Sequence, residues 1–224
     1  MKLTLVRHGE MTGDPYITPE SPVSGCLTEN GVSQAQAAAA ALRDEKFDAA
    51  YSSPYGRALQ TAEIALAGRG LTIQKLLFMR EWEPFERYRE LPDGQWEALL
   101  REDAAAHKYL EDGWSSDIGE NYLEMSARII PAFLRELDRL GIYARYGGFV
   151  PDGQAKDLSF ILFAHGGSLG VLLDFLLGRK ITPVSGFAFA HTGVASLPFI
   201  ERGGVYYPQL WIPAPGCGEK RNPT

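Results

Sequence analysis

Residues 3–10, Leu-Thr-Leu-Val-Arg-His-Gly-Glu, decide how the rest of the chain is read. Leu3, Leu5 and Val6 have the makings of a buried strand, and the run stops at Arg7, His8 and Gly9. A second stretch repeats this grammar. Residues 158–167, LSFILFAHGG, are almost wholly apolar over the length of a strand and end in His165, Gly166 and Gly167. Near-continuous apolar runs suit parallel strands covered on both faces. In open α/β sheets, ligands bind beyond the carboxyl ends of such strands. Either histidine alone is best explained as an ordinary residue at a loop start. Two strands that each release a His-Gly at one sheet edge, with Arg7 beside the first, point instead to a shared site.

Working outward, residues 11–27 are rich in Pro, Gly, Ser and Thr and read as a surface loop. A helix follows, capped by Thr28 or by a later Ser33/Gln36 box, with Val32, Ala35, Ala39 and Leu42 on one apolar face. Phe47–Tyr51 reads as a second strand. It breaks at Ser52-Ser53-Pro54, where proline suits the start of a helix. Arg57 then falls in the first turn, where free backbone N–H groups and the dipole favour an anion. Taken alone, Arg57 is more simply a surface cation. The helix stops at Gly68 or Gly70, and residues 71–77 form a third strand leading into Arg80-Glu81-Trp82-Glu83-Pro84.

The segment of about 84–119 reads as an insertion of short helices over the cleft. Its Tyr88, Trp96, Tyr109 and Trp114 are expected to pack it down, with substrate contact as the alternative. Residues 120–140 make an amphipathic helix whose stripe is Leu123, Ala127, Ile130, Leu134 and Leu137, kinked at Pro131. Residues 141–157 read as a polar connection. A buried helix runs from the second His-Gly to Gly178. Strands at 187–200 and 205–212 are joined by a hairpin turn at Glu201–Gly204. His191 starts the first of them, and a structural or solvent-facing role is preferred for it. The tail from Pro213 is expected to be only partly ordered.

The chain of 224 residues suits a single domain, 1–224, with that insertion. A net charge of −6 without a basic stripe argues against nucleic acid but not against a phosphate ligand, because a local field can oppose the global sign. Cys26 and Cys217 make no disulfide framework. No apolar run is long enough for a bilayer and no signal peptide is visible, so a soluble, cytoplasmic protein without membrane partners is expected.

The chemistry narrows by what is missing and what is present. The sequence has no Walker-type loop, no HExxH or carboxylate set spaced for a metal and no GxSxG elbow. Arginine forks match phosphate oxygens and take over charge that Mg²⁺ handles elsewhere. A neutral imidazole is a competent nucleophile, and a carboxylic acid can protonate a leaving oxygen and then activate water.

On these residues the chain resembles the histidine phosphatase superfamily, the phosphoglycerate mutase-like family. Arg7-His8-Gly9 matches its first hallmark, and Leu27-Thr28-Glu29-Asn30-Gly31 with Gln34-Ala35 its first helix. Ser52-Ser53-Pro54 with Arg57, Ala58, Gln60, Thr61 and Ala62 matches its second arginine motif. Gly119-Glu120 with Arg128 matches the segment after the variable insertion, and Ala164-His165-Gly166-Gly167 the second histidine motif. The resemblance implies a three-layer α/β/α sandwich with a mostly parallel central sheet. It implies a metal-independent, cofactor-free phosphatase acting on a small phosphate monoester through a phosphohistidine. His8 resembles the nucleophile. Arg7, Arg57, His165 and Gly166 resemble the phosphate pocket, with His165 also catalytic. Glu81 resembles the acid/base, with Glu83 as its rival. Met11 and Asp14 stand where the family often has a Thr or Ser and an Asn, and Thr12 is a substitute contact. Mutase-type phosphoryl transfer and a non-catalytic phosphate-ester binder are the second and third readings. The mutase pattern of a Trp-Asn pair after the RHG is absent.

Overall fold

The computed structural model describes residues 1–11, 27–88, 95–107, 116–180 and 185–210. Thr12, Asp14, Cys26, Tyr109, Trp114, Cys217 and the tail lie outside these residues. Among the described residues there are eight strands: β1 (Lys2–Arg7), β2 (Ala49–Ser52), β3 (Ile73–Lys75), β4 (Ile142–Arg145), β5 (Gly148–Pro151), β6 (Ser159–Ala164), β7 (Val194–Arg202) and β8 (Val205–Pro208). They form one sheet in the order β3-β2-β6-β1-β7-β8-β5-β4. The β3-β2-β6-β1 half is parallel. From β7 onward the pairing is antiparallel. The α/β class therefore holds, and the parallel half is the one that carries the two His-Gly ends.

The α-helices among the described residues are α1 (Glu29–Ala41), α2 (Gly56–Ala65), α3 (Trp96–His107), α4 (Tyr122–Arg139) and α5 (Gly166–Leu176). Side chains alternate across a strand, and β1 and β6 use both sides. Leu3, Leu5, Phe160 and Leu162 join a core with Met125, Ile129 and Phe133 of α4 and Leu169 and Leu172 of α5. Val6, Ile161 and Phe163 point the other way, into a core with Leu42, Ala62 and Ala65 at α1 and α2. That alternation makes the three layers. It also explains the continuous apolar runs, since neither strand has a wet face.

Local chemistry sets most boundaries. Thr28 caps α1, its hydroxyl accepting the Gly31 N–H at 2.9 Å. The Ser33 hydroxyl bonds the Glu29 carbonyl inside the helix, so no later capping box forms. Helix α2 begins at Gly56, after Pro54, and keeps Arg57 in its first turn. Helix α5 stops before Gly178, which takes φ +65°.

Three expectations are corrected. The buried stripe of α4 is Met125, Ile129, Phe133 and Leu137, while Leu123 is 50% exposed. The helix carries two adjacent apolar stripes and buries the one with the larger side chains. It runs on through Pro131 as one element. The connection at 141–157 contains β4 and β5, joined at Tyr146 (φ +55°) and Gly147 (φ +73°). Two consecutive positive φ angles are the signature of a tight hairpin turn. Strand β7 starts at Val194, so residues 187–193 are left outside the ladder. No helix among the described residues is long and apolar enough to cross a membrane.

Candidate active site

The register of the parallel half assembles the site. β1 and β6 run in step from Lys2 opposite Ser159 to Arg7 opposite Ala164, so the next residues, His8 and His165, leave the sheet side by side. The His8 N–H donates to the Ala164 carbonyl at 3.0 Å, and the Ser53 N–H to the Phe163 carbonyl at 2.8 Å. Ser53 thereby joins the same edge.

Past His8 the backbone turns tightly against α1. A Cβ on Gly9 would lie 2.7 Å from the Gly31 carbonyl oxygen, and one on Gly31 would lie 2.0 Å from that of Glu10. Both positions therefore need glycine. The Gly9 N–H donates to Thr61 Oγ1 at 3.0 Å, and the Thr61 hydroxyl donates to the Arg57 carbonyl at 2.7 Å. This bolts the loop to α2. The Glu10 carboxylate accepts from the Thr28 hydroxyl and the Asn30 amide, which holds its carboxyl below the ordinary value. Met11 pairs with Leu27 across a single bridge.

The two imidazoles stand with ring centroids 5.1 Å apart, tilted by 59°. Only an N–H can face a carbonyl, so His8 Nδ1, 2.7 Å from the Gly9 oxygen, is the protonated nitrogen. Nε2 then carries the lone pair. Burial first, then the Arg57 guanidinium, drives the His8 pKa down to about 3, against the pull of the Gly9 bond. Arg57 Nε donates to His165 Nδ1 at 3.1 Å. That fixes the opposite tautomer, with His165 Nε2–H 2.8 Å from Ser53 Oγ. Burial and then Arg57 keep His165 neutral too, with its pKa well below the ordinary value. Arg57 is only 2% exposed, so it is not a surface cation. Its guanidinium lies 5.0 Å over the Tyr55 ring, and the same ring meets His165 edge-on at 5.2 Å. Arg7 Nη1 donates to the Phe189 carbonyl. Its buried Nε has no hydrogen-bond partner among the described residues.

The rival carboxylates sit differently. Glu81 accepts the N–H groups of Gly167 (2.9 Å) and Ser168 (3.2 Å), the first turn of α5. A Cβ on Gly167 would come within 2.4 Å of Glu81. Glu83 is paired with Arg80 at 2.7 Å and accepts the Tyr55 hydroxyl at 2.8 Å. Burial works against the Glu83 carboxylate, yet Arg80 and Tyr55 together hold its carboxyl below the ordinary value. Arg128 fixes this whole segment, donating to the carbonyls of Phe78, Arg80 and Glu81 while pairing with Glu120. Gly119 admits the Trp82 ring, which a Cβ would meet at 2.2 Å. The Gly119-Glu120 and Arg128 positions thus position the acidic segment.

His8, Arg7, Arg57, His165, Gly166 and Glu81 are therefore brought to one edge. Ser53 and Thr61 join them; their signal was the serine-proline and arginine motif itself. Tyr55 had no signal in the sequence. His191, set aside there, has its ring 5.6 Å from that of His8. Among the described residues no group of three or more His, Cys, Asp or Glu could hold a metal ion. What the arrangement offers is an imidazole lone pair beside cationic and neutral N–H donors, which suits a phosphoryl group.

The family model of the histidine phosphatase superfamily (branch 1) matches residues 3–207. An adenosylcobalamin/alpha-ribazole phosphatase of Salmonella typhi is 30% identical over 183 residues, covering 79% of this chain and 80% of its own. In fold, the chain is similar to an alpha-ribazole phosphatase from Shigella flexneri (TM-score 0.68, 21% identity, 94% and 95% of the two chains). It is likewise similar to a mycobacterial glucosyl-3-phosphoglycerate phosphatase in complex with VO3 (TM-score 0.69, 23% identity, 94% and 97%). With the paired histidines at the parallel strand ends and a family match over nearly its whole length, the chain belongs to the histidine phosphatase superfamily, branch 1, as a phosphatase.

Proposed function

We propose that the chain hydrolyses a small phosphate monoester through a phosphohistidine on His8, with no metal. The observation that carries this reading is the His8 tautomer. The Gly9 carbonyl holds the proton on Nδ1, and burial beside Arg57 keeps the ring neutral, so Nε2 is a lone pair at physiological pH. Nε2 attacks phosphorus, and the P–O bond to the alcohol breaks. Arg7 Nε, Arg57 and His165 face the phosphoryl oxygens, and Gly166 lets the phosphate approach the start of α5. Glu81 gives the leaving oxygen its proton, then takes one from the water that attacks phosphorus as the N–P bond breaks. Glu83 is the poorer acid because Arg80 and Tyr55 favour its charged form.

The test is rapid quench of the full chain with a labelled aryl phosphate. An acid-labile, base-stable phosphoenzyme is expected, lost in His8→Ala; its persistence in that variant would move the nucleophile elsewhere. The relatives name candidate substrates to screen, including alpha-ribazole phosphate, phosphoserine and glucosyl-3-phosphoglycerate.

A further inference from the structure

His191 is delivered to the nucleophile by a turn with few ways to relax. The Thr192 N–H donates to the His8 carbonyl, Arg7 N–H to the Gly193 carbonyl, and Gly193 N–H to the Ala190 carbonyl. Arg7 Nη1 reaches back to the Phe189 carbonyl. Thr192 sits at φ +53°, a region a β-branched residue rarely enters. Strain of this kind persists where the surroundings over-determine it, and it clusters at functional sites. The product of this arrangement is a half-buried imidazole tilted 45° to the His8 ring, 5.6 Å away.

We propose that His191 is a phosphate-contacting residue, its imidazole donating to a non-bridging phosphoryl oxygen and taking up a proton as that charge arrives. The proposal rests on the reading of His8 as the phosphoryl acceptor. The groups facing His191 are Arg7, His8 and Glu10. Burial and then Arg7 lower its pKa in the ligand-free protein, against Glu10. A phosphoryl dianion on His8 reverses that balance, since an opposite charge nearby favours the imidazolium. The resident donors are partly committed: Arg57 Nε to His165 and Arg7 Nη1 to Phe189. A group whose charged form is favoured more strongly once phosphate is present adds a donor without a standing full charge against Arg7.

Inorganic phosphate is the probe, with the full-length chain. In a histidine-ring NMR titration of the wild type, the His191 midpoint should move to higher pH when phosphate is added; a midpoint indifferent to phosphate overturns the proposal. By calorimetry, His191→Ala should weaken phosphate binding about tenfold at pH 6, the value of one charge-assisted hydrogen bond. His191→Gln, which donates but cannot titrate, should recover part of this at pH 8 and little at pH 6. Wild-type affinity in the alanine variant at both pH values also overturns it. Phosphoenzyme formation is scored separately. If His8 is phosphorylated but phosphate binding ignores His191, this inference falls alone. If no phosphoenzyme forms, the His8 mechanism falls, and the phosphate titration still decides whether His191 touches phosphate.

Discussion

The two histidines of this edge hold opposite tautomers because each has one nitrogen committed by a neighbour: Gly9 carbonyl for His8 and Arg57 Nε for His165. That difference has a pH signature. The His8 value of about 3 lies below its ordinary 6.5, so the unfolded chain protonates first as pH falls. Stability from this group is complete above pH 6.5 and declines toward pH 3. Between pH 7 and pH 5 the loss is roughly 2 kcal/mol, and His165 adds in the same direction. Urea midpoints at the two pH values should show it, with a shallower slope in His8→Asn; an equal slope would mean His8 titrates in the folded state as it does in the unfolded chain. A second prediction separates the carboxylates. Glu81→Gln should slow alkyl phosphates far more than activated aryl phosphates, which depart without a proton. If Glu83→Gln shows the larger contrast, the acid is Glu83.

At the scale of elements, the close pass of the first loop over α1 is the most demanding contact. Gly31→Ala would place a Cβ 2.0 Å from the Glu10 carbonyl oxygen, and a backbone atom cannot rotate away. The variant should lose about 1–3 kcal/mol by overpacking, and its phosphoenzyme should form more slowly because the Gly9 carbonyl moves with Glu10. Urea unfolding and rapid quench measure the two effects. Normal behaviour in both would mean the loop and α1 are not in contact. Removal of Arg57 also differs from the loss of a surface charge. Arg57→Ala leaves the His165 acceptor buried and unpaired, a cost of about 1–3 kcal/mol, so stability and catalysis should fall together.

The whole molecule carries a net charge of −6 while its strand-end edge gathers Arg7 and Arg57. In the proposed mechanism these two cations handle the phosphoryl charge, so activity should survive EDTA and not rise with added Mg²⁺ or Zn²⁺. Chelator inactivation reversed by a metal would count against the proposed chemistry. The product should be inorganic phosphate, with little phosphoglycerate isomerisation. Efficient isomerisation without phosphate release would favour the mutase reading, to which a phosphoglycerate mutase of Azorhizobium caulinodans, 32% identical over 146 residues, keeps a link.

The amino-acid sequence by itself determined the two buried strands, their His-Gly ends and the arginine in the first turn of α2. These are local matters of apolar runs and breakers, and each signal lies within a few residues of its effect. The tertiary structure alone decided which of two apolar stripes α4 buries, because the choice depends on the shape of the opposing sheet. It alone turned residues 142–151 into a hairpin closing one end of the sheet, where β5 pairs with β8, far along the chain. It alone separated Glu81 from Glu83: two residues apart in sequence, one lies on the amides of α5 and the other between Arg80 and Tyr55. It alone brought His191 to His8, through a turn whose hydrogen bonds reach back some 180 residues, as between Arg7 and Phe189. Proximity of that kind is set by strand order and register, which no short window of sequence contains.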